Sequence, residues 1–249
     1  MSLHAWLRDR IVHYFTKEPD LGRSYLCDFD RIGYEVRPGD VLLTEGHSRL
    51  SELVQKVTAS PWSHCMLYLG RLYDIEAPEL REIVQQHYAG PLGDQLVIES
   101  VIGKGTVITP LSAYSNLHIR ICRPTGISHR DAQAVMRQAI GTLGRAYDIR
   151  HVIDLGRFLL MYHWFLPWRW RSSLFEDRGD RTEKDICSKM VADAFGSIGF
   201  PILPEVTVSP ANEISIRARN KKLCIPRDFD YSPYFNIIKY PLLALLEPS

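Results

Sequence analysis

The chain has 249 residues, 45% of them hydrophobic and 24% charged, with a net charge of +1. Those are globular values, and the length can bury a core without staples; a disordered chain and a small disulfide-built module are both excluded. Near-zero net charge offers no general surface for nucleic acid, so no nucleic-acid partner is expected.

The first 18 residues, MSLHAWLRDRIVHYFTKE, lack the unbroken apolar core of a signal peptide. Trp6, Leu7, Ile11, Tyr14 and Phe15 instead recur at helical spacing, so residues 1–30 read as a helical extension and connector. With no export signal and no spanning segment, a cytoplasmic location is expected by default. RPGDVLLTEG (Arg37 to Gly46) is a Pro-Gly turn feeding a strand. HSRLSELVQKVTAS places Leu50, Leu53, Val54 and Val57 on one helical face, with Ser48 as cap. A strand follows from His64 to Leu69. DQLVIESVIGKG is a third strand, with Gly103 and Gly105 turning it into TVITPL. NLHIRICRP alternates Leu117, Ile119 and Ile121 against His118 and Arg120, a strand with one wet face. SHRDAQAVMRQAIGTLG is a helix with a Ser128/Asp131 capping box, and Gly144 can end it. DICSKMVADAFGSIG is a second clear helix, with Asp185 as its expected cap. The stretch 224–249, rich in Pro, Tyr and Leu, is expected to wrap the surface. Strands gathered in the first half and flanked by helices argue for an α+β domain with a mostly antiparallel sheet.

Chemistry concentrates on the last of those helices. Cys187, Met190, Val191, Ala194 and Ile198 share one face, which puts Cys187 in the first turn and pointing at the protein body. There the helix dipole and free backbone N–H groups favour thiolate, although Asp185 opposes this slightly. A thiolate nucleophile needs a proton acceptor, and the acceptor needs an orienting partner. His64, at the start of a strand, can accept the proton. Glu99, flanked on its strand face by Val97 and Val101, is costly to bury unless paired. If the two strands are neighbours, Glu99 can take the other imidazole N–H. Blander readings stand beside this one: Cys187 as a small buried hydrophobe, His64 bonded to backbone, and Glu99 paired with a neighbour such as Lys104.

Of the other cysteines, Cys27 would restore the order Cys, His, acid. However, Asp28 and Asp30 beside it raise a thiol pKa. Cys65 points to the strand face opposite His64 and reads as core. Cys122 and Cys224 have no companion groups. The odd count and scattered spacing give no disulfide framework and no zinc motif. A His64–Cys65 metal pair is disfavoured because adjacent strand residues diverge. No metal and no cofactor are expected.

The ordered set PGDVLLTEG, SELVQKVTASPWSHCMLYLG, VIES, LGRAYD and CSKMVADAF resembles the permuted papain-like NlpC/P60 hydrolases of the YaeF/YiiX type, distantly related to lecithin–retinol acyltransferase-like proteins. The matching positions are Gly39-Asp40, Ser63-His64, Glu99 and Cys187-Ser188, with SPANEIS resembling the family's segment after the helix. The resemblance covers roughly residues 33–215 and draws its specificity from the order of short motifs. It implies a circularly permuted papain-like fold over 31–223 and catalytic roles for Cys187, His64 and Glu99. Trp62, Ser63, Tyr147 and Ser188 are the expected substrate-binding residues. The implied activity is cysteine hydrolysis of a peptide-type amide, cell-wall peptides included, through a thioester.

The chain departs from that pattern in its N-terminal extension and in an apolar, aromatic insert at about 149–181. Interrupted by Asp154, Arg157 and His163, the insert is a poor transmembrane span. One reading makes 152–171 a peripheral membrane contact, with Trp164, Phe165, Trp168 and Trp170 at the headgroups. The other makes it a core helix and a lid over the cleft. Its apolar character brings in lipid-directed acyl hydrolysis or acyl transfer as the runner-up activity, and a papain-like shell that binds without turnover stands as a third reading. Oligomeric state has no sequence signal.

Overall fold

The computed structural model describes residues 28–145, 187–208, 214–218 and 224–238. Most of the N-terminal extension, Cys27, Tyr147, Asp185 and the whole insert lie outside them.

The described chain opens with helix α1 (Phe29–Glu35), capped by Asp28, whose side chain accepts the Arg31 N–H at 3.1 Å. Strand β1 (Val41–Glu45) leads to α2 (Arg49–Thr58), β2 (His64–Gly70), α3 (Pro78–His87), β3 (Leu96–Val101), β4 (Gly105–Pro110) and β5 (His118–Pro124). Then come α4 (His129–Ile140), α5 (Cys187–Gly196), β6 (Pro204–Val208), β7 (Ile214–Ala218), α6 (Pro226–Tyr231) and β8 (Phe235–Ile238). Six strands form one antiparallel sheet in the order β4-β3-β2-β1-β5-β8, while β6 and β7 pair separately. The α+β class with an antiparallel sheet is therefore what the structure shows.

Alternation along the strands sorts the core into two layers. Val41, Leu43, Cys65, Leu67, Leu69, Leu96, Ile98 and Cys122 face a layer built with Val135, Met136 and Ala139 of α4 and Met190, Val191, Ala194 and Phe195 of α5. Leu42, Met66, Tyr68, Val97, Ile119 and Ile121 face the other way, onto Ile32 and Val36. Helix α5 thus lies against the strands that carry the candidate residues.

The Gly39-Asp40 pair has a structural explanation. Gly39 sits at φ 92°, and a Cβ there would come within 3.1 Å of the Ala132 Cβ of α4. Positive φ and close approach both select glycine. Asp40, 2% exposed, takes Arg123 Nε at 3.0 Å and Nη2 at 2.8 Å, and the Arg37 N–H at 2.8 Å. Burial still raises its pKa, which the guanidinium and the amide only partly offset. The pair ties the start of β1 to β5.

Several expectations need adjustment. The Ser128/Asp131 box caps α4 as read, but the helix ends at Ile140, and Gly144 lies beyond it in a turn at φ 77°. Helix α3 has only a short stripe of Leu80, Ile83 and Val84, and the sequence reading passed over it. In the described part of the C-terminal stretch, 224–238, α6 packs Phe229 into the core, and β8 extends the sheet beside β5. Phe235 meets Phe195, Phe200 and Phe229 edge-on, with centroids 5.3–5.6 Å apart.

Candidate active site

The turn before β2 sets the stage. Ser60 Oγ accepts the Trp62 N–H at 3.2 Å, and the Ser63 N–H donates to Thr44 O at 3.1 Å. This seats His64 at the first position of the strand, opposite Thr44. Strand β3 runs antiparallel alongside, with Leu67 facing Ile98 and Tyr68 facing Val97. On the N-terminal side of Leu67 no β2–β3 pairs are made, so the two strands part where His64 and Glu99 stand. A side-chain bond closes the gap: His64 Nε2 meets Glu99 Oε2 at 2.6 Å. Pairing to a carboxylate assigns the proton to Nε2 and leaves Nδ1 for another partner.

Glu99 is 2% exposed, so its charge must be met by donors. Its second oxygen, Oε1, accepts from Thr109 Oγ1 at 2.5 Å and from the Tyr114 hydroxyl. Burial pushes this carboxyl up, but the bonds from His64, Thr109 and Tyr114 and the imidazolium charge outweigh it, and the net shift is downward. Glu99 is therefore a fixed anion facing the ring.

Cys187 opens α5 and is 7% exposed. Its thiol lies in the electrostatic field of His64 and of Cys65. The Cys65 thiol does most to lower the Cys187 pKa; burial opposes it, and the His64 charge and bond add to the lowering, which takes Cys187 well below the ordinary thiol range. Burial alone would lower the His64 pKa. The Cys187 sulfur and Glu99 override it, and the ring is pushed up to about 10. The shifts run toward thiolate at Cys187, imidazolium at His64 and carboxylate at Glu99. At the strand end, the His64 ring touches both a helix packed on one sheet face and a carboxylate on the other.

The expected substrate-binding residues are placed differently. Trp62 is 1% exposed, and its Nε1 donates to Asp230 at 3.0 Å; Asp230 in turn is forked by Arg120, which lies over the Trp62 ring. Ser63 Oγ accepts the Gly46 N–H at 2.9 Å and donates to Thr44 O. Ser188 Oγ donates to Cys224 O at 2.6 Å. All three are buried and bonded within the protein, and Tyr147 lies outside the described residues.

Sequence reasoning missed Thr109, Tyr114 and the packing of Cys65 in the same core layer as Cys187. Thr109 had a signal, because the Gly103–Gly105 turn puts Val107 opposite Glu99 and Thr109 one same-face step away. Tyr114 comes from the 3-10 turn Leu111–Tyr114, which no periodicity announces. Cys65 does face the core, as its strand parity requires, but the Cys187 sulfur lies on that same side.

No family model matches the chain, and no curated protein matches it in sequence. In three dimensions it is similar to the crystal structure of the metalloprotein YiiX from Escherichia coli O157:H7. That likeness has 14% identity, 82% of this chain and 97% of that chain covered, and a TM-score of 0.50. At that identity it shows the fold alone: an α+β chain with a YiiX-like fold. Among the described residues no group of three or more His, Cys, Asp or Glu is disposed to hold a metal ion. None of the described helices is long and apolar enough to cross a membrane.

Proposed function

We propose that the protein is a cysteine hydrolase of permuted papain-like fold, with its catalytic domain over 31–223, that cleaves a peptide-type amide through a thioester. The observation that carries this reading is the 2.6 Å bond from His64 Nε2 to the buried Glu99, with the Cys187 thiol and the same ring shifting each other's pKa toward the charged forms. A buried thiolate beside an imidazolium is a nucleophile with its proton donor already in place. The sulfur attacks the scissile carbonyl; His64 gives its proton to the leaving amine, then takes one from the water that hydrolyses the thioester. Glu99 holds the ring and stabilises its charged form. Backbone N–H groups at the start of α5, including that of Cys187, face the developing oxyanion. Trp62, Ser63 and Ser188 support this site from behind, and Tyr147 is assigned to the substrate side.

The apolar insert at about 149–181 favours an apolar acyl portion in the substrate. It also sustains a second reading, lipid-directed acyl hydrolysis at a membrane surface, which binding to anionic vesicles would favour. The test of the main reading is labelling with a thiol-directed acyl probe. Labelling is expected to be lost in Cys187→Ala and kept in Cys27→Ala. No labelling of the wild type would support a binding module without turnover, and labelling kept in Cys187→Ala would overturn the assignment.

A further inference from the structure

Three hydrogen bonds reach from the stretch 224–230 to the two chain segments that carry the reacting groups. Pro226 opens α6 with its φ already helical, and Asp228 turns back to take the Ile225 N–H at 3.0 Å. Phe229 is fully buried against Phe235, which fixes the short helix to the core. Arg227 and Asp230, three residues apart, share a face of it. Arg227 Nη1 donates to Thr58 O at 2.6 Å, and Asp230 Oδ2 accepts Trp62 Nε1 at 3.0 Å. Thr58 and Trp62 are the two ends of the turn that feeds His64. Between them Ala59 is held at φ 48° and ψ 48°, a left-handed conformation that a non-glycine residue keeps only where its neighbours enforce it. Arg120 Nη1 meets both Asp230 oxygens, at 2.6 and 2.8 Å, and so fixes the acceptor that Trp62 meets. At the other end of the stretch, Cys224 O accepts Ser188 Oγ at 2.6 Å. Ser188 is 1% exposed and follows Cys187 directly.

We propose that the stretch 224–230 is a brace that holds the Cys187 end of α5 and the His64 end of β2 in fixed register, with Arg227 and Asp230 as positioning residues. Arg227 acts on His64 through Thr58, Asp230 acts on it through Trp62, and the Cys224 carbonyl acts on Cys187 through Ser188. The inference rests on the reading of Cys187 and His64 as nucleophile and base. Those two residues belong to separate elements, and α5 meets the sheet through apolar side chains. Apolar burial is non-directional and permits small slides, whereas a reacting pair needs placement to about 0.5 Å. Directional bonds from one anchored helix to both segments supply that placement. Sequence separations of 36, 169 and 168 residues mark them as tertiary ties and not local turns. The brace extends the working unit past residue 223.

The test compares variants of the full chain by urea unfolding, by the pH profile of iodoacetamide alkylation at Cys187, and by kcat and KM with para-nitrophenyl acetate. Arg227→Met keeps the stem and removes the donor; Asp230→Ala removes the acceptor. In either variant, still unfolding cooperatively, kcat is expected to fall about 10–100-fold, the cost of a misplacement near 1 Å, with KM little changed. The acid limb of alkylation should move up by about one unit, which is tenfold less thiolate on its acid side. Arg227→Lys and Asp230→Asn, which keep a donor and an acceptor, should restore both readouts. Arg137→Ala, which breaks an exposed ion pair with Glu79, should match wild type. If Asp230→Ala does not fold, Arg227→Met and Ser188→Ala carry the same expectations. A lowered urea midpoint with kcat and the acid limb at their wild-type values would overturn the proposal. So would losses that Lys and Asn fail to restore. A wild type that does not turn over the ester, with an acid limb that rises in the variants, would remove the hydrolytic reading and leave the brace standing.

Discussion

Replacing Glu99 with Gln preserves the shape of the orienting group and removes its charge. In the native site Oε2 receives His64 Nε2 at 2.6 Å, inside a pocket that leaves Glu99 2% exposed. A hydrogen bond to a charged group contributes about 1.5–3 kcal/mol against about 0.5–1.5 kcal/mol for a neutral one. The loss is therefore on the order of 1.5 kcal/mol, or about one pH unit at 1.36 kcal/mol per unit. The His64 pKa, now pushed up to about 10, should fall by about that much. Because a weaker imidazolium supports the thiolate less, the Cys187 pKa should rise by a comparable amount. The assay is the rate of iodoacetamide alkylation of peptide 185–189 as a function of pH. In wild type the reactivity should persist well below the ordinary thiol pKa of about 8.5 and vanish as pH falls through the depressed value. In Glu99→Gln that acid limb should move upward by about one unit. Superimposable profiles for the two proteins would refute the coupling of Glu99 to the sulfur through His64. So would a wild-type limb at the ordinary thiol value.

The same groups make stability depend on pH. Glu99 titrates lower folded than its free value of 4.5, so its contribution is present above that value and lost as pH falls through the folded one. His64 titrates higher folded than 6.5, so its contribution is complete below 6.5 and lost as pH rises through about 10. Urea midpoints of wild type against Glu99→Gln should converge on the acid side, and those of wild type against His64→Gln on the alkaline side. Tyr114→Phe removes a donor from a buried carboxylate and should cost about 1–3 kcal/mol in urea unfolding, with Cys187 still alkylated. Arg123→Ala strands the buried Asp40 carboxylate and should cost about 3–5 kcal/mol; adding Asp40→Asn should recover part of it, which the same unfolding assay reads.

What was legible in the sequence was whatever a period or a cap announces. Ser48 and Ser128 mark their helices because a side-chain oxygen must meet first-turn N–H groups. Strand parity fixes the direction of His64 and of Glu99 on their own strands, whereas the neighbouring of β2 and β3 was only a condition in the sequence, which the structure meets. The contacts that complete the carboxylate pocket depend on hairpin register for Thr109 and on an irregular turn for Tyr114, and only the first leaves a trace in the chain. Cys65 shows the limit of parity. Alternation correctly sends it away from His64, yet Cys65 packs in the same core layer as Cys187, whose sulfur shifts the His64 pKa. The edge strand β8 was hidden for another reason: four residues shortly after Pro233 are too few to set a period.

The most direct test of the central claim is to trap the acyl group. The protein is mixed with an activated acyl ester, quenched with acid during turnover and digested, and the acylated peptide is identified by mass. Acyl mass on peptide 185–189, at Cys187, absent in Cys187→Ser and reduced in His64→Ala, is the predicted result. Turnover with the acyl group on a peptide containing Cys27, or turnover undiminished in Cys187→Ser, would contradict it.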